Sequence, residues 1–247
     1  MGEVMVTLAA ARSGGAAESK FAWSLQRQLL VFAEEQIDRP DNGLWEIRGE
    51  PHMFTHSRGM MWAAFDRGVQ AVEKDGLEGP VQRWRGLRDR LRNEIDQHGV
   101  SKDGHFTQFY GTKEVDASLL LLPQIGFCAP DDPRMLATVE RIEQDLLHGG
   151  LLHRYRTESG VDGLGGDESP FLACSFWLVE QYAATDRLDD ANELMDRLCS
   201  LTNDVGMLSE EYDPVARRQI GNTPQAFSHL ALVRAADALT PEVHEPR

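Results

Sequence analysis

The connections between helices, more than the helices themselves, restrict what this chain can fold into. Apolar residues recur at a period near 3.6 along most of it. Ala22, Leu25, Leu29, Phe32 and Ala33 form one stripe behind a Ser19 cap; Met61, Phe65, Val69 and Val72 form the next. Pro80 precedes Val81, Trp84, Leu87, Leu91 and Ile95, and DASLLLLP gives a short apolar helix from Asp116. Three further stripes run through Leu136–Leu146, Phe171–Tyr182 and Leu188–Leu198. The last helix is predicted to open at Thr223 and Pro224, with Ala226, Leu230 and Val233 inward. That makes eight helices, with a ninth at Val4 to Arg12. The fold class is all-α.

Between these stripes, long and short gaps alternate. Long ones run from about 38 to 56, 99 to 115, 149 to 169 and 203 to 222; short ones fall at DGLEG, CAPDD and TDR. Short gaps make antiparallel helical hairpins. If the hairpins follow one another up and down, every long gap lies at one end, and long loops in a compact domain are usually functional or disordered. These are aromatic and acidic rather than rich in Ser and Pro, so they predict a site.

Composition narrows the ligand. With 40 acidic against 25 basic residues the net charge is -15, a field that repels nucleic acid. No apolar run is long enough to span a bilayer, so no membrane partner is expected. Cys128, Cys174 and Cys199 are odd in number and far apart, which predicts reduced, buried thiols and a cytoplasmic setting. His52 and His56 are four apart but have no third ligand at a recognisable spacing, so packing or substrate contact is expected and no metal or cofactor.

Each long loop carries chemistry. The first has Trp45, Glu46 and Arg48; the second has Asp103, His105, Phe106, Phe109 and Tyr110. The third has Arg154, Tyr155, Arg156, Asp162, Asp167 and Glu168; the fourth has Glu210, Glu211, Tyr212 and Asp213. Aromatic rings beside carboxylates and arginines suit a neutral, hydroxyl-rich ligand, because sugar faces pack on rings and hydroxyls bond to charged groups. A carboxyl held against Trp45 would keep its proton, which fits Glu46 as a general acid. Either Glu210 or Glu211 can then serve as a base that activates water, as in glycosidic hydrolysis.

Four stretches, DNGLWEIRGEPHMFTHSRGMMWAAFDR, DASLLLLP, RYRTESGVDGLGGDESPFLACSFWLVEQ and LSEEYDPVARRQIGNTPQAFSHLAL, together resemble glycoside hydrolase family 15, the family of glucoamylases and bacterial trehalases. The resemblance implies an α/α toroid of six helical hairpins, an inverting mechanism and release of glucose. It places Glu46 at the general-acid position and Glu210, after Ser209, at the general-base position, with Glu211 beside it. Trp45 and Arg154 match substrate contacts, with Arg156 as a competitor; Arg48, Tyr155 and Tyr110 join them as substrate-binding candidates. The family's first helices, and an Arg-Asp pair they carry, are missing, so residues 1–247 are read as one partial toroid. Such a piece exposes apolar helix faces that favour homo-oligomers or association through the open edge. The expectation is an exo-acting α-glucosidase for trehalose or malto-oligosaccharides. The alternative is a catalytically incomplete sugar-binding or interaction protein on the same helices.

Overall fold

The computed structural model describes residues 1–157 and 168–240. Asp162 and Asp167, named with the third loop, lie outside the described residues. The helices are α1 (Gly2–Ser13), α2 (Lys20–Glu35), α3 (Thr55–Glu73), α4 (Val81–His98), α5 (Pro133–Leu146), α6 (Leu172–Ala184), α7 (Leu188–Cys199) and α8 (Ala226–Leu239). Two antiparallel strand pairs lie within the long loops. They are β1 (Leu147–His148) with β2 (Leu151–Leu152), and β3 (Glu211–Asp213) with β4 (Arg218–Ile220). Among the described residues no helix is long and apolar enough to cross a membrane.

The helices form an arc in two layers. α3 buries 12 of its 19 residues and α6 buries 10 of its 13, so these two are interior on nearly every side. α4, α5 and α7 each bury one face, as amphipathic outer helices do: Trp84, Leu91 and Ile95; Met135, Val139 and Ile142; Ala191, Leu194 and Leu198. Burying each of the larger apolar side chains contributes roughly 1.5–3 kcal/mol. α1 packs on α3 at one end of the arc and α8 on α6 at the other. A Cβ at Gly2 would lie 2.3 Å from the Met60 carbonyl oxygen, so α1 reaches α3 that closely only through glycine.

Four expectations are corrected here. DASLLLLP folds as a 3-10 helix, Ala117–Leu121, whose five residues are all buried. α8 starts at Ala226, not Pro224, with Gln225 accepting from the Phe227 N–H. The backbone before it is bound elsewhere: Asn222 O accepts from Glu210 N–H and the Gln225 N–H donates to Leu208 O, which holds 222–225 against the fourth loop.

The third correction concerns two apolar faces. α8 buries Ser228, Ala231 and Ala235 against α6, and leaves Leu230 at 64% and Val233 at 56% exposure. α2 buries Trp23, Gln26, Leu30 and Ala33, while Leu25 and Phe32 face outward. Trp23 sets that rotation by donating to the Glu78 carbonyl at 2.9 Å, and Gln26 sets it by bonding Arg12 and Glu18. Small residues let α8 approach α6, and the larger ones turn to the open side. The cysteines are free, but Cys199 is exposed at the end of α7 rather than buried.

Candidate active site

The four long loops meet. Backbone bridges join Phe54 of the first to Phe109 of the second, Asp116 at the end of the second to Tyr155 of the third, and Phe171 at the end of the third to Glu211 of the fourth. The third and fourth are also tied by the Leu172 N–H to the Glu210 carbonyl at 3.0 Å and the Tyr212 N–H to the Pro170 carbonyl at 3.1 Å. Extended segments leaving helices on the same side have unpaired backbone groups, and here they satisfy one another.

Trp45 stands at the centre. Its ring packs on Phe171 (centroids 5.8 Å apart) and Trp177 (6.0 Å), and Phe227 of α8 closes the same aromatic cluster. Its indole N–H donates to Asp116 Oδ2 at 3.0 Å. The carboxylate hydrogen-bonded to the Trp45 indole is thus that of Asp116. Burial pushes the Asp116 carboxyl up to about 6, against the opposing bonds from Ser118 and Trp45.

Arg154 lies over this cluster, 5.7 Å from the Trp45 ring, 5.5 Å from Tyr155 and 5.4 Å from Phe171. Its guanidinium pairs with Glu168 through two nitrogens and lies 3.7 Å from Glu211. The Tyr155 hydroxyl also donates to Glu168, at 3.3 Å. Burial opposes the Arg154 charge, yet Glu168, Tyr155 and Glu211 outweigh it and raise its pKa. Glu211 is half-buried, and burial raises its carboxyl although Arg154 works the other way. The result is a half-buried cation with two carboxylates on an aromatic floor. Such a group offers donors and acceptors to hydroxyls without carrying a large net charge.

Glu46 and Glu210 flank it. Glu46 is exposed and sits in the left-handed region at φ 50°, between two anchored neighbours, Trp45 and the buried Ile47. Asn42 closes the turn beneath by exchanging hydrogen bonds with Ile47 at 2.8 and 3.0 Å. Glu210 immediately precedes the β3–β4 hairpin. The preceding Ser209 is buried and accepts at its carbonyl from the Ser228 hydroxyl of α8, 2.8 Å away. Glu210 Oε2 accepts from the Asn222 backbone N–H at 3.2 Å and from its side chain at 3.1 Å. Trp45 touches Phe171, and Phe171 pairs with Glu211. Glu46 and Glu210 thus each stand one residue from the same chain of contacts.

A sequence profile of the glycosyl hydrolases family 15 matches residues 1–191 and 183–237. This chain belongs to family 15. Among curated proteins it is similar to the trehalase of Mycobacterium tuberculosis, 42% identical over 213 residues, which are 86% of this chain and 31% of that protein. The trehalase of Thermoplasma acidophilum is 35% identical over 240 residues, covering 96% of this chain and 41% of that one. The chain thus spans about a third of the length of the curated relatives it matches. Among solved structures, a glycosidase in complex with glucose superposes with a TM-score of 0.79 at 21% identity, over 96% of this chain and 65% of that one. A bacterial glucoamylase complexed with acarbose gives 0.71 at 16%, over 88% and 38%. The arc of hairpins is therefore part of the family 15 α/α toroid.

Set in that toroid, Arg154 brings Trp45, Tyr155 and Glu211 together, and Glu46 and Glu210 are the chain neighbours of Trp45 and Glu211. Arg48 is exposed on the first loop and makes no ion pair among the described residues. Arg156 pairs with Glu114 at 3.7 Å, pointing to the second loop rather than the aromatic floor. Tyr110 packs on His98 of α4, with burial and the neighbouring Glu94 raising its phenol. The rest of the second loop is mostly structural. His105 braces it through Ser101 and the Lys113 carbonyl, Phe106 is in the core, and Phe109 stacks on His52 at 4.0 Å. His56 is buried in the first turn of α3, which lowers its pKa to about 4. Two residues not singled out as site candidates touch this cluster: Glu168, named among the charged groups of the third loop, pairs with Arg154, and Asp116, read only as a helix start, accepts from Trp45.

Proposed function

We propose that this chain carries the catalytic face of an exo-acting, inverting α-glucoside hydrolase that releases glucose from trehalose or short α-glucans such as malto-oligosaccharides. The observation that carries the reading is the junction of Trp45, Phe171, Arg154 and Glu211, with Glu46 and Glu210 one residue away on either side. Membership of family 15 and the similarity to trehalases support it. A substrate glucose ring packs over the aromatic floor while Arg154, Tyr155, Glu211 and Glu168 bond its hydroxyls. Arg48 meets the more distal part of the substrate. Tyr110 contributes by packing the second loop on α4 rather than by touching sugar. The unpaired cysteines support a cytoplasmic setting.

In the chemical step Glu46, the general acid, gives its proton to the glycosidic oxygen as the bond to the anomeric carbon breaks. Water attacks that carbon from the opposite face, and Glu210, the general base, takes its proton. Oε2 of Glu210 is held by Asn222, so Oε1 is the atom that faces the water. The acid and base must stand about 6.5–9.5 Å apart to admit both sugar and water. Proton NMR of the first-formed sugars tests the reading: trehalose should give one β-glucose, from the attacked ring, for each α-glucose that leaves. α-Glucose alone at first would exclude direct attack by water. Calorimetric binding of glucose without any release from trehalose or maltose would favour a sugar-binding protein.

A further inference from the structure

Asp116 is 1% exposed and bears two oxygens, both used. Oδ2 accepts the Trp45 indole N–H at 3.0 Å, and Oδ1 accepts the Ser118 hydroxyl at 2.6 Å. Its backbone bridges Tyr155, and the next N–H, of Ala117, donates to the Arg154 carbonyl at 2.8 Å. One residue thereby ties the first loop to the third, although 71 positions separate it from Trp45. Its carboxylate takes no ion pair from the described residues, and the reaction outlined above does not use it.

The first loop needs such a tie. Residues 41–47 form a turn closed at its base by Asn42 and Ile47 and roofed by Trp45. Glu46 occupies the left-handed region, which a residue with a Cβ holds only where its surroundings over-determine it. Ile47 is buried on one side of Glu46, and on the other the only polar group of Trp45 is spent on Asp116. If that bond is lost, the indole can slide on its Phe171 and Trp177 contacts, and the Glu46 backbone is freed to relax.

We infer that Asp116 is a positioning residue: it anchors the Trp45 indole from below and so fixes the carboxyl of Glu46 at the mouth of the site. The catalytic half of this inference rests on the proposed hydrolase reading; the anchoring half does not. Asparagine at this position can still accept from the indole through Oδ1, whereas alanine cannot. Asp116→Asn should therefore keep function that Asp116→Ala loses.

The test has two arms. In the first, subtracting the emission of a Trp45→Phe variant isolates the Trp45 fluorescence of the full chain. In Asp116→Ala the Trp45 contribution should shift to the red and become more open to acrylamide quenching, and in Asp116→Asn it should stay as in the unsubstituted chain. Unchanged Trp45 emission in Asp116→Ala overturns the anchor. In the second arm, hydrolysis of trehalose and maltose is followed. Asp116→Ala should lose about 100-fold in kcat, the cost of a misplaced catalytic group, with KM changed far less, and Asp116→Asn should recover most of it. A Trp45 shift with kcat intact overturns the positioning role. If the unsubstituted chain hydrolyses neither sugar, the hydrolase reading and the catalytic half of this inference fall together, while the emission arm still decides the anchor.

Discussion

The guanidinium of Arg154 reaches Glu211 at 3.7 Å while it is paired with Glu168, so one cation joins the third loop to the fourth. The two carboxylates come from either end of the α6–α7 hairpin. Without the cation they would face each other half-buried. The same side chain lies on the aromatic floor, so loop closure and the proposed ligand site share one group.

Replacing Arg154 by methionine should show this as a pH-dependent loss of stability. Glu211, already raised by burial, would then hold its proton to still higher pH, because its charged form has lost Arg154. A group whose folded pKa is raised contributes stability that is present at low pH and lost as pH rises through the folded value. Arg154→Met should match the unsubstituted chain near pH 4 and fall about 1–3 kcal/mol behind it at pH 7, a range between surface and buried pairs. Urea unfolding at several pH values measures this. An equal deficit at every pH would mean the side chain acts by packing alone.

Asp116 gives a second titration. Burial raises its carboxyl from 3.8 to about 6, so its contribution to stability is full below about 3.8 and is lost as pH rises through about 6. The ionisation cost is on the order of 3 kcal/mol at neutral pH, at 1.36 kcal/mol per unit. Asp116→Asn removes the titration and keeps the shape. The variant should gain on the unsubstituted chain by that order between pH 4 and 7 in urea unfolding. A constant difference across the range would place the titration elsewhere.

Glu46→Gln and Glu210→Gln should each reduce glucose release by ~10²–10⁴-fold. Neither should disturb the fold. Glu46 is exposed, and the amide oxygen at position 210 still accepts from Asn222. Melting temperatures should therefore stay within a few degrees, the effect of at most about 0.5 kcal/mol. Near-full activity in either variant would remove that residue from its role.

What could be read from the sequence, and what could not, follows from the range of the interactions. The hairpins were legible because short gaps such as TDR leave the chain no other geometry, and the convergence of the loops followed from the alternation. Inward faces were legible where the apolar stripe of a helix is covered by a neighbour, as for Trp84, Leu91 and Ile95 of α4 on α3. They failed for α2 and α8, since hydrophobicity says how apolar a face is but not whether anything covers it. Trp45 and Arg154 were visible as chemistry. Asp116 was not, because its partner is distant in sequence and a lone aspartate before an apolar run reads as a cap. A buried Ser118 two residues on was the one local hint.

The uncovered faces have a consequence in solution. Leu230 and Val233 on α8, with Phe21 at 82% exposure beside Leu25 on α2, put large apolar side chains in water. Apolar surface of this kind favours association. Leu230→Glu and Phe21→Glu should each lower the weight-average mass of concentrated samples in light scattering, with unfolding free energies unchanged within about 0.5 kcal/mol. A variant mass equal to that of the unsubstituted chain would mean these faces drive no association.

Gly221 tests the placement of the proposed base without touching it. Its φ is 77°, a left-handed value that costs a residue with a Cβ about 1–2 kcal/mol. An added Cβ would also lie 2.8 Å from Glu210 Oε2 and 3.0 Å from Glu210 Cβ. The strand pair cannot retreat easily, because the Glu210 N–H is bonded to the Asn222 carbonyl at 3.0 Å and Asn222 in turn holds Oε2. The carboxylate must therefore yield, turning away from the Asn222 donors and from the position where water would stand. Gly221→Ala should cost about 1–2 kcal/mol in unfolding free energy, from the backbone alone. It should lower kcat by about 100-fold, the scale of a misplaced catalytic group, while KM changes little, since Arg154 and the aromatic floor are untouched. Asn222→Ala removes the side-chain donor and keeps the backbone one, without the added bulk or the strain, and should lower kcat less and with a smaller loss of stability. If Gly221→Ala is destabilised yet turns over at the original rate, Glu210 does not act from the position the β3–β4 hairpin gives it, and the base must be sought at Glu211.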